Sequence, residues 1–214
     1  MGSKTMRIKR LDILNRLARH FGYQRYLEIG IAGGASFKKV EVPEKLGVDP
    51  AWRWWYLLRH DIRRQTSDRF FATNRKTFQL VFIDGLHVAA QAHRDIGNAL
   101  ACLEPGGSIL VHDCLPTSRE QQIVPRMQAS WTGDVWRAFL KASQEPELST
   151  LIFEADRGCG LIRRGTGSPY LLKPPGDFDP LSEEELSWET YEEHRRSWLT
   201  FVPSEQTFDM IDRL

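Results

Sequence analysis

The spacing of apolar and polar residues divides the chain into alternating helices and short strands. Apolar positions three and four residues apart predict a helix from Ile8 to Phe21, and Gly22 follows as its C-cap. Short, mainly apolar runs then occur at residues 26–31, which contain the acid Glu28, at 80–83, and at 108–111, which begin with Ser108. Such runs are typical of strands that are buried on both faces of a parallel sheet.

The remaining segments complete a repeat of strands and helices. Further elements are predicted as a short helix at 36–42, a strand at 45–50, helices at 51–65, 69–71, 89–100 and 133–142, a turn at 103–107, a mobile linker at 121–133, and strands at 148–154 and 160–164. The last two strands are too close in sequence for a crossover helix, so they form an antiparallel hairpin. This order predicts an α/β fold with three Rossmann-like layers. Its mostly parallel, seven-stranded sheet ends in the antiparallel hairpin and is flanked by N- and C-terminal helices.

The end of the chain is predicted to be a helical extension, residues 171–214, that follows a main domain of residues 1–170 with its N-terminal helix. A Pro/Gly-rich link at 173–177 separates the two. The apolar face of the extension carries Leu181, Trp188, Tyr191, Trp198 and Leu199. That face can dock on the main domain or pair with a second subunit in a homodimer.

Composition narrows the classes of partner. The 29 Lys and Arg residues against 28 Asp and Glu give a net charge of +1, which argues against a nucleic-acid or anionic-membrane binder. No apolar run approaches the ~20 residues of a membrane span, and the N-terminus has no apolar signal-peptide core. The three scattered cysteines form neither a disulfide framework nor a zinc motif, so we expect a cytoplasmic protein.

A glycine-rich loop follows the first predicted strand and is the first candidate for ligand binding. It contains Gly30, Gly33 and Gly34, and Ser36 is predicted to cap the next helix. At such a junction, backbone N–H groups can approach a ligand closely. Glu28, inside the strand, can pair with a cationic ligand such as a sulfonium amino acid. An ordinary strand–helix turn is the structural alternative.

The glycine spacing weakens a dinucleotide interpretation. That fingerprint needs glycines at positions 32 and 35, where Ala32 and Ala35 stand. Asp49 lies about 20 residues beyond the loop, where an acid in such a sheet reaches ribose hydroxyls. Because Pro50 follows it, Asp49 could instead simply form a turn.

Polar side chains recur where the predicted strands end. Ligands bind at this carboxyl edge in open α/β sheets. The residues concerned are Glu28, Asp49, Asp84, His87, His112 and Asp113.

In this order the motifs resemble those of the class I S-adenosylmethionine-dependent methyltransferases, over Tyr26 to Arg164. The terminal antiparallel hairpin is characteristic of their fold. The motifs are Leu27-Glu-Ile-Gly30, Gly47-Val-Asp-Pro50, Thr66-Ser-Asp-Arg-Phe-Phe71, Phe82-Ile-Asp-Gly-Leu-His87, Val111-His-Asp-Cys114 and Gly133-Asp-Val-Trp136. They are similar to the branch of metal-assisted O-methyltransferases that act on sugars of natural products.

The resemblance implies S-adenosylmethionine as the cofactor and assigns residues to it. Glu28, Gly30, Gly33 and Gly34 would hold the methionine part, Asp49 the ribose, Ser67 and Asp68 would lie near the adenine, and Asp84 would face the methyl-transfer centre.

The resemblance also implies Mg²⁺ at Asp84 and Asp113. His112 stands where the related enzymes have a further acid. Magnesium prefers oxygen ligands, so this histidine counts against a tight Mg²⁺ site. A softer metal with His87 or His112 as a ligand, or no metal, are the alternatives.

Methyl transfer to oxygen requires removal of the hydroxyl proton, and His87 and His112 are the candidate bases. Asp113 would orient His87 or bind a metal. The predicted activity is O-methylation of a small-molecule or sugar hydroxyl with base or metal assistance. A NAD-type Rossmann oxidoreductase and a catalytically silent cofactor-binding protein of the same fold are the alternatives.

Overall fold

The structure, a computed structural model, describes residues 7–51, 61–165, 178–182 and 186–214. One sheet runs through it, with the strand order β3-β2-β1-β4-β5-β7-β6-β8. Its strands are β1 (Arg25–Ile29), β2 (Glu44–Val48), β3 (Ile62–Arg63), β4 (Phe78–Ile83), β5 (Leu103–Val111), β6 (Leu148–Phe153), β7 (Cys159–Arg164) and β8 (Phe201–Val202). Only β7 pairs antiparallel with its neighbours, β5 and β6, as the predicted terminal hairpin requires.

Helices cover both faces of this sheet. They are α1 (Arg10–Phe21), α2 (Ala35–Lys39), α3 (Ser67–Thr73), α4 (Ala89–Ala101), α5 (Arg119–Gln122), α6 (Val135–Ser143), α7 (Trp188–Trp198) and α8 (Thr207–Ile211). Alternate side chains of each strand enter different cores. In β4, Val81 packs with α3, α4, α6 and α7, whereas Leu80 and Phe82 pack with α1, α2 and α8. The predicted three-layer α/β fold is thereby confirmed.

The predicted C-cap of the first helix is also confirmed. Gly22 ends α1 in the left-handed conformation, with φ of 67°. The Thr66 hydroxyl caps α3 by accepting a hydrogen bond from the Arg69 N–H. These residues match the caps that their chemistry favours.

The strand count and two boundaries were wrong. The sheet has eight strands because Phe201–Val202 pairs parallel with β6 at the edge. Ile62–Arg63, assigned to a helix at 51–65, is a strand that pairs with β2; residues 52–60 lie outside the described part. The predicted turn at 103–107 belongs to β5, whose pairing with β4 shifts register between Phe78 and Leu80. Gly107 permits this, since a Cβ there would lie 2.8 Å from the Gln79 carbonyl oxygen.

Two predicted local roles also change. The N-cap of α2 is Gly34, with φ of 73°, and Ser36 is buried inside the helix. The segment predicted as a mobile linker contains part of α5 and folds back on it. The Thr132 and Gly133 N–H groups both donate to the carbonyl of Gln121.

The C-terminal aromatic face packs on the chain's own core. Trp188, Tyr191 and Trp198 are buried, and the Tyr191 ring stacks on Trp136 with centroids 3.9 Å apart. Leu181 precedes the helix rather than lying on it, and the proposed domain boundary at residue 170 falls outside the described residues. Of the two arrangements left open by the sequence, docking on the domain accounts for this face; a homodimer stays a prediction. In the described part of the chain, no helix is long and apolar enough to cross a membrane.

Candidate active site at the carboxyl edge of the sheet

A cavity of about 530 Å³ opens where β1, β2 and β4 end. This volume lies in the range of small-molecule sites. The cavity brings together six of the predicted site residues: Gly30, Asp49, Ser67, Asp68, Asp84 and His87. Its lining does not include Glu28, Gly33, Gly34, His112 or Asp113.

The glycine loop is shaped by close backbone contact. Gly30 has φ of 84°, and a Cβ on it would lie 2.1 Å from the Asp84 carbonyl oxygen. Only glycine fits there, because the ends of β1 and β4 meet at this point. Ala32 also adopts a positive φ, 47°, which is uncommon for a residue with a Cβ.

Asp49 holds this loop from the end of β2. Its Oδ2 accepts hydrogen bonds from the N–H groups of Ile31 and Ala32, at 3.0 and 2.9 Å, and its Oδ1 accepts one from Ala51 at 2.8 Å. The carboxylate lines the cavity and also holds the backbone of the glycine loop in place. Asp49 is therefore placed both to shape the site and to meet a ligand.

Glu28 lies on the opposite side of β1 from the cavity. It shares a face with Tyr26, whose hydroxyl donates to Glu28 Oε2 at 2.6 Å. Burial raises the pKa of Glu28 to about 8, even though the Tyr26 hydrogen bond favours the ionised form. The structure thus places Glu28 in the α1 core layer rather than in contact with the cavity.

The raised pKa predicts a pH-dependent stability. Between the ordinary carboxyl value of 4.5 and about 8, the native state keeps a proton that the unfolded chain releases. This stabilising contribution is complete below the lower value and is lost as the pH rises through the higher one. We expect the free energy of unfolding to fall, relative to Glu28→Gln, by on the order of a few kcal/mol between those pH values.

Urea unfolding at several pH values measures that difference, with Glu41→Gln, an exposed acid, as the control. Parallel curves for the unmodified protein and Glu28→Gln would contradict the raised pKa.

At the other end of the cavity, Asp84, His87 and Asp113 converge. His87 Nδ1 lies 2.9 Å from Asp113 Oδ2, and its Nε2 lies 3.5 Å from Asp84 Oδ1. Asp113 is fully buried, which opposes ionisation, but the imidazoles of His112 and His87 lower its pKa to about 2. Asp113 is a carboxylate at neutral pH and stabilises positive charge beside it.

His112 is buried below this group and does not reach the cavity. Its Nδ1 lies 3.1 Å from Asp84 Oδ1, and Arg10 Nη1 lies 2.9 Å from its Nε2. Burial opposes its charged form, but Asp113, Asp156 and Asp84 outweigh burial and raise the pKa of His112. Arg10 opposes that charge, because a guanidinium only donates and needs the lone pair on Nε2.

Three charged residues of this cluster were missed by the sequence analysis. Arg10, at the start of α1, donates its backbone N–H to Asp156 Oδ2 at 3.0 Å. Arg157 Nε lies 2.9 Å from Asp113 Oδ1, and Arg157 also lines the cavity. In the sequence, Arg10 falls within the predicted first helix, and the other two fall in the turn of the predicted hairpin. The positions of these residues in the sequence do not distinguish them from ordinary charged residues at the surface.

Backbone strain marks the same region. In the described part of the chain, five residues other than glycine have positive φ: Ala32, His87, Asp113, Asp156 and Arg157. One is in the glycine loop and four are in the charged cluster. Such conformations cost on the order of 1–3 kcal/mol each and concentrate at functional sites. Their coincidence here supports a functional cluster rather than an incidental group of surface charges.

The cluster has the donor set of a metal site. One atom each from Asp84, His87 and Asp113 lie within 4.8 Å of one another. His87 Nδ1 and both Asp113 carboxylate oxygens are buried without an aligned hydrogen bond, although they lie at ion-pair distance from neighbours. Buried polar atoms rarely stay unpaired. Two carboxylates and an imidazole fit a divalent cation.

The cavity's remaining polar wall is an amide–acid group that the sequence analysis identified only in part. Gln91 Nε2 lies 3.1 Å from Ser67 Oγ, 3.0 Å from Asp68 Oδ1 and 3.0 Å from Asp95 Oδ1. Its two hydrogens cannot serve all three acceptors at once, and the carboxylate oxygens keep lone pairs that can accept from a ligand N–H. Gln91 and Asp95 lie on α4 and line the cavity. Polar residues on the inward face of a predicted helix are the feature of the sequence that could have identified them.

Comparisons with known proteins agree with this architecture. A family model described as a methyltransferase domain matches residues 53–114. No curated protein matches the chain. Methyltransferase PaMTH1 from Podospora anserina, solved with S-adenosylhomocysteine, is 17% identical over 77% of this chain and 80% of its own, with a TM-score of 0.56.

Two further structures share the fold. CalS10, an amino pentose methyltransferase from Micromonospora echinaspora, is 16% identical, covering 72% of this chain and 89% of its own, with a TM-score of 0.52. The O-methyltransferase TomG from Streptomyces achromogenes is 16% identical, covering 72% of this chain and 78% of its own, with a TM-score of 0.51. This chain therefore has the fold of the class I S-adenosylmethionine-dependent methyltransferases, as its motifs predicted.

Proposed function

We propose that the protein is an S-adenosylmethionine-dependent O-methyltransferase acting on a hydroxyl of a small molecule. One observation carries this proposal. A single cavity joins the loop held by Asp49 to the Asp84–His87 pair. A nucleoside-type ligand and a reacting hydroxyl would meet there. PaMTH1 and TomG, which share the fold, were solved with S-adenosylhomocysteine and S-adenosylmethionine.

The cavity walls suggest how the cofactor is oriented. Gly30 and the backbone of the glycine loop would face the methionine part, and Asp49 the ribose. A carboxylate oxygen of Asp68 or Asp95, both of which line the cavity, would accept from an N–H of the adenine amine. Glu28 would contribute indirectly, by supporting β1 from the face of the sheet opposite the cavity.

A divalent metal would be held by Asp84, His87 and Asp113. When bound, such an ion orients the acceptor hydroxyl and lowers its pKa. An imidazole among the ligands favours a first-row transition-metal ion over Mg²⁺. Arg157, beside Asp113, would balance the charge of the buried carboxylate.

His87 is the better placed of the two candidate histidines. Its side chain is 22% exposed and lines the cavity, whereas the His112 side chain is completely buried. His112 would instead position Asp84 through the 3.1 Å contact of its Nδ1. His87 would serve as a metal ligand or, in a metal-free enzyme, as the base.

Metal dependence separates those two roles. With EDTA, we expect methyl transfer from labelled S-adenosylmethionine to a panel of hydroxylated acceptors to fall by at least ~100-fold and to return with Mn²⁺. Electron paramagnetic resonance measures Mn²⁺ binding directly. Full activity in EDTA that is lost in His87→Ala would instead assign His87 as the base.

Cofactor binding is tested by titration calorimetry with S-adenosylmethionine. In Asp49→Ala we expect the dissociation constant to rise by about 10- to 100-fold, because hydrogen bonds to a charged group contribute about 1.5–3 kcal/mol. Asp61→Ala is the matched control, since Asp61 is an exposed acid outside this cavity. Equal losses in both variants would contradict the assignment of Asp49.

The same calorimetry tests the alternatives. Binding of NAD without S-adenosylmethionine would support an oxidoreductase, which the alanines at positions 32 and 35 disfavour. Cofactor binding without transfer to any acceptor would support a silent binding protein.

The free, buried cysteines Cys102, Cys114 and Cys159 fit the cytoplasmic location that we also propose.

A further inference from the structure

The segment from Thr117 to Asp134 is clamped onto the loop that carries His87. Asp134 Oδ1 accepts a hydrogen bond from the Ala89 N–H at 2.6 Å. A Cβ on Gly133 would lie 1.8 Å from the His87 carbonyl oxygen, and Gly133 has φ of 61°. Glycine at this position lets the segment touch the His87 backbone.

Trp131 makes the side-chain contact of this segment with the site. Its indole lies parallel to the His87 imidazole, with ring centroids 5.2 Å apart and an interplanar angle of 12°. The indole is itself anchored. Its Nε1–H donates to the Ile123 carbonyl at 2.6 Å, and the Arg126 guanidinium lies 6.0 Å from the ring centroid.

His87 needs such support because its polar contacts do not fix the ring. Its backbone has φ of 30°, and its Nδ1 has no aligned hydrogen bond despite lying 2.9 Å from Asp113 Oδ2. A contact without an aligned hydrogen bond restrains the orientation of the ring plane only weakly. A flat ring packed parallel to it restricts that rotation.

We propose that Trp131 is a positioning residue that holds the His87 imidazole toward Asp84 and Asp113. The expected effect of Trp131 on turnover rests on the proposed role of His87. The expected restraint of the His87 ring by Trp131 does not. It makes the segment from Thr117 to Asp134 part of the catalytic unit rather than a connection between β5 and α6. Trp131 does not line the cavity, so its effect passes through His87.

Two substitutions separate stacking from bulk. Trp131→Leu keeps an apolar side chain without a flat ring, and Trp131→Phe keeps a ring. Met127→Ala, at a 73% exposed side chain of the same segment, is the control. Long-range proton–nitrogen spectra of the histidine rings, assigned with His87→Ala, report the tautomer and mobility of His87. Urea unfolding shows whether each variant keeps its stability.

We expect Trp131→Leu to broaden or average the His87 ring-nitrogen signals and to lower kcat about tenfold, with KM for S-adenosylmethionine changed less than twofold. Trp131→Phe should retain one set of signals and most of kcat. Unchanged His87 signals in Trp131→Leu would overturn the inference. Equal losses of kcat in Trp131→Leu and Trp131→Phe, in proportion to their losses of unfolding free energy, would overturn it as well.

The two proposals fail separately. If His87→Ala keeps full turnover, the catalytic assignment of His87 is wrong, while the ring spectra still decide whether Trp131 positions it. If His87→Ala loses turnover and the His87 ring is unchanged in Trp131→Leu, only the inference about Trp131 is wrong.

Discussion

Asp113→Asn is expected to abolish metal binding and to lower methyl transfer by about 100-fold or more. The carboxylate is fully buried, and it lies 2.9 Å from both His87 Nδ1 and Arg157 Nε. Asparagine has nearly the same shape but no charge, so it leaves the Arg157 guanidinium without its buried counter-charge. Because the Arg157 side chain is 41% exposed, water screens its charge, and we expect the loss of this ion pair to destabilise the protein by only about 1 kcal/mol.

Three measurements test this expectation together: Mn²⁺ titration, turnover with saturating cofactor, and urea unfolding. Asp209→Asn, at an exposed acid of α8, is the matched control and should behave like the unmodified protein. If Asp113→Asn retains Mn²⁺ affinity, Asp113 is not a ligand. Retained stability would show that the ion pairs around it contribute little.

Gly30→Ala is expected to have the largest effect on the fold of the site. The added Cβ would lie 2.1 Å from the Asp84 carbonyl oxygen, and the residue would be forced to keep φ of 84°. The contact cannot relax locally, because Gly30 N–H donates to Val48 and Asp84 N–H donates to Ile29, which joins β1 to β2 and β4. We expect a loss of about 3 kcal/mol or more in unfolding free energy.

The same change should eliminate measurable binding of S-adenosylmethionine, because it moves the loop away from the end of β4. Gly33→Ala is a control from the same loop. A Cβ there has no atom within 4 Å, so we expect stability within about 0.5 kcal/mol of the unmodified protein. Calorimetry and urea unfolding compare the pair. Equal behaviour of both variants would mean that close packing at Gly30 does not shape the site.

The strand and helix order was predictable because it depends on local pattern. The apolar run of β4 and its Asp84 end were identified correctly, as were α1, α4 and the terminal hairpin. Errors fell where pairing with distant residues outweighs local preference. Ile62–Arg63 is a strand because β2 offers a free edge, although its surroundings suggested a helix.

The sequence by itself determined the edge of the sheet at which the candidate site lies. Since parallel strands end on the same side, residues that follow β1, β2 and β4 had to converge, and Gly30, Asp49, Asp84 and His87 do line one cavity. The alternation of side chains along a strand is also determined locally. Which helices pack on each face of the strand depends on distant parts of the chain. Glu28 therefore entered the α1 core, contrary to the cofactor contact that was expected.

Only the tertiary structure decided what surrounds the reacting group. Arg10 meets Asp156 across 146 positions of the chain, and Trp131 reaches His87 from a segment that was interpreted as a linker. Such contacts follow from helix docking and loop packing, and they leave no period or motif in the sequence. The sequence could thus indicate Asp84, His87 and Asp113, whereas the charged residues and the aromatic ring in contact with them could be found only in the folded chain.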